Sequence, residues 1–196
     1  MDSITQAEKP KLFMILLGSK SPKRNVEQHD YFFGIATSLK ELVPEIKAFW
    51  PEAGASIHID GWREVHAVDG HRVEIIAKTG VNEPPGKKLF FVNLGGYTEN
   101  RLEEQHYVIL SVQDDRTQAV QNAKQTVFFK SATVKGMKGA NSHIDEKYGI
   151  DVDDIYRIED ILSPAQKAMY HIALTPQTNL PEDKITLGYF KLDKLP

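Results

Sequence analysis

The sequence predicts an α+β fold in which one unit, ordered strand, strand, helix, strand and strand, occurs twice in tandem. The first observation behind this prediction is an internal repeat, which must be identified before any fold is assigned. A shift of 77 positions brings Lys11-Leu12-Phe13 onto Lys88-Leu89-Phe90. The same shift brings Glu27-Gln28-His29 onto Glu104-Gln105-His106, so two separate blocks agree in one register.

The second observation is a further pair of matches at a shift of 85 positions. His58-Ile59-Asp60 then meets His143-Ile144-Asp145, and Arg72-Val73-Glu74 meets Arg157-Ile158-Glu159. The larger shift predicts an eight-residue insertion in the second copy, within the Lys/Gly-rich segment 130–139. Several matches in the same order are hard to obtain by chance, so the sequence predicts a tandem duplication.

The third observation is the hydrophobic pattern, which predicts the strands of the first copy. Residues 12–17 are apolar at every position, as is typical of a strand buried on both faces, and residues 31–36 are similar. Residues 57–65 and 71–77 are predicted as two more strands. The intervening Val68-Asp69-Gly70 is a strong signal for a hairpin turn.

A helix is predicted between the second and third strands of each copy. In the first copy, apolar residues recur at helical spacing over 39–50, and Thr37 or Ser38 can cap this helix. Pro44 should kink the helix or mark its true start, because proline lacks an amide hydrogen. A sheet crossed by one helix is β-grasp-like. Since one helix covers only one face, we expect the two copies to pack together.

The predicted boundaries follow from these elements. They are a flexible tail at 1–10, a first copy at 11–80, a Pro/Gly linker at 81–87, a second copy at 88–175 and a C-terminal extension at 176–196. Near the end, residues 170–174 and 184–190 are predicted strands. We expect these two strands to complete the edge of the second copy's sheet.

The composition of the 196 residues is that of an ordinary globular protein, with 41% apolar and 26% charged residues. A formal net charge of −3 argues against a general nucleic-acid binder. The chain has no cysteine, which excludes disulfides, thiolate metal sites and cysteine nucleophiles. The longest apolar run is too short to cross a bilayer. These features predict a cytoplasmic protein.

The polar residues in the repeated blocks are the candidate binding residues. Glu27 and His29 lie just before the second strand, and His58 and Asp60 lie two positions apart in the third strand, on one face. We expect these four side chains to gather in one place. Imidazole and carboxylate groups bind divalent metals and also form acid–base pairs. The matching residues of the second copy are Glu104, His106, His143 and Asp145.

A structural interpretation of the same residues stays open. Glu27 could satisfy backbone amides at a bend, and His58 could bond a carbonyl beside Asp60. Their spacing matches no standard metal motif, so the sequence assigns no metal and leaves the cofactor unknown. Arg24 and Arg101 could hold a phosphate or carboxylate from a polar loop, or pair locally with the neighbouring glutamates.

Three segments resemble a bacterial family known as domain of unknown function 1543. They are Leu12-Phe13-Met14-Ile15-Leu16-Leu17-Gly18, Arg24-Asn25-Val26-Glu27-Gln28-His29-Asp30 and His58-Ile59-Asp60-Gly61-Trp62. The resemblance implies one or two copies of this unit and a bacterial origin. It implies no activity, substrate or catalytic residue.

The sequence favours a non-enzymatic binding or interaction module, because no catalytic signature accompanies the duplicated sheets. The alternative is a small metal-assisted or acid–base enzyme that uses the repeated Glu/His and His/Asp groups. The expected partner is a small ligand or a protein, and a homodimer stays open. The two alternatives differ in whether the polar side chains converge in one accessible site.

Overall fold

A mixed α+β fold with antiparallel sheets is confirmed by the structure. The computed structural model describes residues 8–80, 86–97, 102–125 and 150–195. The chain divides into two units. The first unit is Met1–Glu83 together with Leu162–Pro196, and the second unit is Pro84–Ile161.

The main sheet of the first unit has four strands in the order β10-β3-β1-β2. These strands are β1 (Lys11–Ser19), β2 (Gln28–Ala36), β3 (His58–Glu64) and β10 (Thr186–Lys191). In β1, Phe13, Ile15 and Leu17 pack with the helical layer, whereas Leu12 and Met14 are buried on the opposite face. The predicted doubly buried strand is therefore confirmed.

Three short helices cover one face of this sheet. They are a 3-10 helix at Leu39–Leu42, α1 at Val43–Phe49 and a second 3-10 segment at Pro51–Ser56. Pro44 lies in the first turn of α1 and so marks its start. Ser38 makes no side-chain cap. Instead, the amide and hydroxyl of Thr37 donate to the Glu41 carboxylate, and these bonds lower the pKa of Glu41.

A second sheet of the first unit contains β4 (Ala67–Val68), β5 (His71–Ala77) and β9 (Tyr170–Pro176), in the order β4-β5-β9. The turn between β4 and β5 places Asp69 at φ 48° and Gly70 at φ 68°. Positive φ at both central residues is what a tight two-residue hairpin needs. The predicted turn is confirmed, but it connects β4 to β5. The predicted strands at 57–65 and 71–77 do not form a hairpin with each other, because β3 and β5 lie in different sheets.

The two C-terminal strands belong to the first unit. β9 pairs with β5 and β10 pairs with β3, so the expectation that they complete the second copy's edge is wrong. The segment after β10 explains this return, because Leu192 and Leu195 are buried in the core below the helical layer. Apolar burial of this kind decides strand placement more strongly than chain order does.

The outer edge of β2 is protected by a side chain. Gln166 of α4 (Pro164–Met169) accepts a hydrogen bond from the amide of Ile35 and donates one to its carbonyl, both at 3.0 Å. The carboxamide thus pairs with Ile35 as a neighbouring strand would. A blocked edge of this type cannot recruit another strand at that point.

The second unit has a three-stranded sheet in the order β7-β6-β8. Its elements are β6 (Lys88–Tyr97), β7 (Glu104–Gln113), α2 (Arg116–Ala123), β8 (Ile150–Arg157) and α3 (Ile158–Ile161). Its core combines Phe90, Val92 and Leu94 with Ala119 and Ala123. Within the described ranges, no helix is long and apolar enough to cross a membrane.

The strand register of the second unit agrees with one predicted alignment and contradicts the other. β6 and β7 repeat the register of β1 and β2 at the shift of 77, since Gly18 pairs with His29 and Gly95 with His106. In the third strand, His58 pairs with Gly18, but the partner of Gly95 is Asp151.

The shift of 85 therefore does not describe the third strand. A shift of 93 does, because it carries His58 onto Asp151. His143 and Asp145 lie outside the described residues, as do Arg101 and the segment 130–139.

Candidate functional site

A row of residues across the first unit's sheet positions the candidate site. Gly18 of β1 pairs with His29 of β2 on one side and with His58 of β3 on the other. Residues paired across strands point to the same face. The glycine leaves the space between the two imidazoles open, and a Cβ built on Gly18 would lie 2.5 Å from Nε2 of His58. It would lie closer still to Oδ2 of Asp60.

A β-bulge places Asp60 beside His58. Leu17 pairs with Ile59 and Leu16 pairs with Gly61, so Asp60 is the extra residue in β3. Bulges redirect side chains and recur next to functional sites. Here the bulge accompanies a carboxylate on the face that carries His58, opposite the helical layer.

A second irregularity, in β10, faces the same point of β3. Leu187 pairs with Gly61 and Phe190 pairs with Ile59, which leaves two residues of β10 opposite Asp60. One of them is Gly188, at φ 157°, where a Cβ would meet the Phe190 ring at 2.8 Å. The backbone conformation there requires glycine.

The other residue of this irregularity is Tyr189, which forms a wall of the site. Its ring packs against the imidazole of His58, with ring centroids 4.2 Å apart and planes inclined at 33°. The C-terminal strand therefore completes a site whose other residues come from the first 60 positions of the chain.

Four side chains meet in the space above Gly18. Nε2 of His58 lies 3.2 Å from Oδ1 of Asp60 and 3.5 Å from Oε1 of Glu27. Nε2 of His29 lies 3.1 Å from Oδ2 of Asp60 and 3.4 Å from Oε1 of Glu27. The structure thus brings together the four residues of the first copy that were expected to gather. We call Glu27, His29, His58 and Asp60 the Glu27 cluster.

The tautomer of His58 follows from its other ring nitrogen. Nδ1 lies 2.8 Å from the carbonyl oxygen of Ser56, which can only accept, so Nδ1 carries the hydrogen. In the neutral ring, Nε2 then presents a lone pair to the carboxylates of Asp60 and Glu27. Among the described residues, neither this Nε2 nor Oδ2 of Asp60 has a hydrogen-bond partner. Converging lone pairs repel each other unless a cation or a proton lies between them.

Exposure changes steeply across the Glu27 cluster. The side chain of His58 is 2% exposed and that of Asp60 22%, whereas Glu27 is 39% and His29 47% exposed. His58 is therefore fixed in the protein interior, and solvent reaches the cluster from the side of Glu27 and His29.

Three residues of the cluster are close enough together to bind one metal ion. One ligand atom each from Glu27, His58 and Asp60 lies within 4.8 Å of the others, and the described residues contain no other such group. Zinc bonds of about 2.1 Å in a tetrahedron put neighbouring ligand atoms about 3.4 Å apart. The two measured separations from His58, 3.2 and 3.5 Å, match that spacing.

Arg24 does not join the cluster. Its backbone amide donates to the Ser21 carbonyl at 3.3 Å in the loop between β1 and β2. Within the part of the chain that the structure describes, its side chain forms no ion pair, and Glu27 pairs with histidines instead. The loop arginine is thus not placed as a ligand here.

At the equivalent position of the second unit, fewer polar side chains come together among the described residues. Nε2 of His106 lies 3.7 Å from Oε2 of Glu104, and Nδ1 of His106 lies 3.4 Å from the side-chain nitrogen of Asn93. The register shift between Asn93 and Leu94 repeats the bulge of the first unit at the same position.

Two repeated Arg/Glu pairs lie away from both places. Arg72 and Glu74 form an ion pair at 2.9 Å along β5, and Arg157 and Glu159 pair at the end of β8. Both pairs connect residues two positions apart in the sequence. Arg157 ends a strand that pairs with β6, whereas Arg72 lies within β5, so the two pairs are not structural equivalents.

Sequence reasoning missed two residues of the site, Gly18 and Tyr189. Gly18 gave a signal, because the repeat aligns it with Gly95 at the end of an apolar strand. Tyr189 gave none, since its place depends on which sheet the C-terminal strand joins.

Comparison with known proteins finds a family model that matches part of the chain. The model of the family described as Domain of Unknown Function (DUF1543) matches residues 24–75, a range that holds all four residues of the Glu27 cluster. The match lies within the first unit and does not extend to the second unit.

A solved structure supports the fold over nearly the whole chain. The crystal structure of a protein Il1583 from Idiomarina loihiensis is similar, with a TM-score of 0.62 and 23% sequence identity. The similarity covers 93% of this chain and 98% of that chain. No curated protein matches the chain.

Proposed function

We propose that the first unit is a binding module for a divalent transition-metal ion, with Glu27, His58 and Asp60 as protein ligands. The observation that carries this proposal is the buried Nε2 of His58, which lacks a hydrogen bond and points at two carboxylates. The Ser56 carbonyl orients this imidazole through Nδ1, as outer partners commonly do for metal-binding histidines.

The donor set indicates which metals suit the site. One imidazole and two carboxylates favour zinc, manganese or iron(II) over calcium or magnesium, which prefer ligands that are all oxygen. Two carboxylates balance the charge of a divalent ion, so burial of the complex near His58 costs less than burial of an isolated charge.

An accessible site is more consistent with ligand binding than with a structural metal. Structural zinc sites are closed by four protein ligands, whereas three protein ligands leave a position for water or a ligand. The exposed side of the cluster at Glu27 and His29 provides that position.

A second candidate is an acid–base enzyme that uses the same cluster without a metal. The observation in its favour is His29, whose Nε2 lies 3.1 Å from Asp60 and 3.4 Å from Glu27 while staying exposed. An exposed imidazole between two carboxylates can transfer protons. A metal-free cluster would need a proton, not a cation, between His58 and the carboxylates.

Thermal unfolding with and without metal tests the proposal. The chelator-treated protein should gain stability with Zn²⁺ or Mn²⁺, by about 2.7 kcal/mol at 100 times the dissociation constant. His58→Ala should abolish that gain. Ca²⁺ and Mg²⁺ should have smaller effects.

His71→Ala is the matched control for His58→Ala. Nδ1 of His71 also lies within hydrogen-bond distance, 2.7 Å, of the carbonyl oxygen two positions earlier, that of Asp69, but His71 is not in the group of possible metal ligands among the described residues. The His71 variant should keep the full response to metal. Equal responses of the two variants, or no response of the parent protein, would refute the proposal.

For the fold, we propose a tandem duplication with β-grasp-like copies that pack together. The shared register of β1–β2 and β6–β7, and the bulge at the same position of both third strands, support the duplication.

A further inference from the structure

We propose that the metal centre takes a small oxyanion that carries an aromatic or apolar group, and that Tyr189 and Leu187 bind this group. The inference rests on the proposed function and names the class of ligand. The oxyanion would occupy the open coordination position, and its substituent would lie along β10.

The first step concerns the apolar surface beside the Glu27 cluster. Tyr189 is 63% exposed and Leu187 is 74% exposed. A single exposed apolar side chain is common, but these two lie together on the face of the sheet that carries the cluster. Tyr189 covers His58, and a Cβ on Gly61 would lie 2.7 Å from a methyl group of Leu187.

The second step concerns the cost of placing Tyr189 there. The irregular pairing of β10 requires Gly188 at φ 157°, a conformation that other residues rarely adopt. Regular pairing of β10 with β3 would need no such residue. The local irregularity instead puts an aromatic ring against a metal-ligand candidate and leaves most of the ring free for a second contact.

The third step concerns charge. A divalent ion with the carboxylates of Glu27 and Asp60 has no net charge, so the open position accepts an anion without strong repulsion. His29 lies on the exposed side, where its Nε2 can donate to a second oxygen of the ligand. A bidentate oxygen ligand suits both groups, and an aromatic substituent gains from an offset contact with Tyr189.

Cobalt(II) and two hydroxamates provide the experiment. The chelator-treated protein is loaded with Co²⁺, and visible d–d bands are followed during titration with acetohydroxamate or benzohydroxamate. Both anions bring the same oxygen chelate, and only benzohydroxamate brings a ring. We expect both to shift the bands, with benzohydroxamate binding about three- to ten-fold more tightly.

Variants of β10 identify the surface responsible for that preference. Tyr189→Ala should remove the preference, and Tyr189→Phe should keep it because the ring is retained. Ile185→Ala is the matched control, since Ile185 has a similar exposure of 61% and immediately precedes β10, and it should leave the preference unchanged.

The outcomes separate this inference from the proposed function. Cobalt bands that do not respond to either hydroxamate, or a preference that survives in Tyr189→Ala, would overturn the inference while the metal site stands. Protein that binds no Co²⁺ at all would overturn both.

Discussion

The strand pairing around Gly18 in β1 resembles that around Gly95 in β6, but the side chains that could bind a metal differ. In the first unit, Gly18 separates His29 from His58, and a bulge adds Asp60. In the second unit, Gly95 pairs with His106 in the same register, but its other partner is Asp151. The buried imidazole that defines the first site therefore has no histidine at the equivalent position.

This difference separates the role of the fold from the role of the side chains. The glycine and the register shift beside it recur in both units. Only the first unit is shown to have, beside this glycine, a buried imidazole held by a backbone carbonyl. We infer that metal affinity belongs to the first unit, and that the second unit keeps the scaffold.

The largest expected effect comes from removing residues 177–196, which belong to the first unit. The deletion removes β10 and the buried Leu192 and Leu195, whose burial contributes about 3–6 kcal/mol together. We expect the first unit to lose most of its stability. Trp50 and Trp62 are the two tryptophans of the chain and both lie in this unit, so their fluorescence during urea unfolding reports it selectively. An unchanged midpoint would contradict the assignment of β10.

Gly18→Ala should have the next largest effect. Its Cβ would overlap with His58 and Asp60, which should destabilise the first unit by about 1–3 kcal/mol and prevent metal binding. Gly80→Ala is the control, because a Cβ there meets nothing within 4 Å. Urea unfolding and metal titration of both variants check this, and normal metal affinity in Gly18→Ala would argue against the site.

The contrast between His29 and His106 sharpens the comparison of the two places. His29→Ala should weaken metal binding about 10- to 100-fold, since loss of a residue that contacts the metal ligands commonly has an effect of that size. His106→Ala should leave affinity unchanged. Isothermal titration calorimetry of the two variants measures both values, and equal losses would show that the second unit also binds.

The smallest expected effects concern the first turns of two helices, α2 and the 3-10 helix at Leu39–Leu42. Asp115 accepts a hydrogen bond from the Gln118 amide at 2.9 Å, and Asp115→Ala should cost about 1 kcal/mol. Glu41 is exposed and accepts hydrogen bonds from Thr37 at the start of the 3-10 helix. Glu41→Gln should therefore destabilise the protein less than Asp115→Ala does.

The pH dependence of Glu41 has a definite sign. Hydrogen bonds from Thr37 lower the pKa of Glu41 from its usual 4.5, so its stabilising effect is full above that value. The effect is lost as the pH falls through the lowered pKa. Parent protein and Glu41→Gln should therefore differ at neutral pH and converge in acid, and a difference that grows in acid would contradict this account.

Local patterns were enough to predict much of the fold. The apolar run of β1 and the Asp69-Gly70 turn depend on residues close together in sequence, and the structure confirms both. The partner of β10 depends on where Leu192 and Leu195 find an apolar core, which no local pattern records. The match of His58-Ile59-Asp60 with His143-Ile144-Asp145 was misleading because identical residues need not occupy the same register.

The site was predictable to a similar extent. Alternation along β3 placed His58 and Asp60 on one face, and the repeat drew attention to Glu27 and His29. The bulge at Asp60 and the contact with Tyr189 could not be predicted, because both arise from pairing between distant strands.

The central claim is that Glu27, His58 and Asp60 bind one divalent metal ion, and anomalous X-ray scattering from Zn²⁺-loaded crystals tests it most directly. We expect an anomalous peak about 2.0–2.2 Å from Nε2 of His58 and from one oxygen of each carboxylate. A crystal without a peak at this position, or with its strongest peak beside His106, would contradict the account.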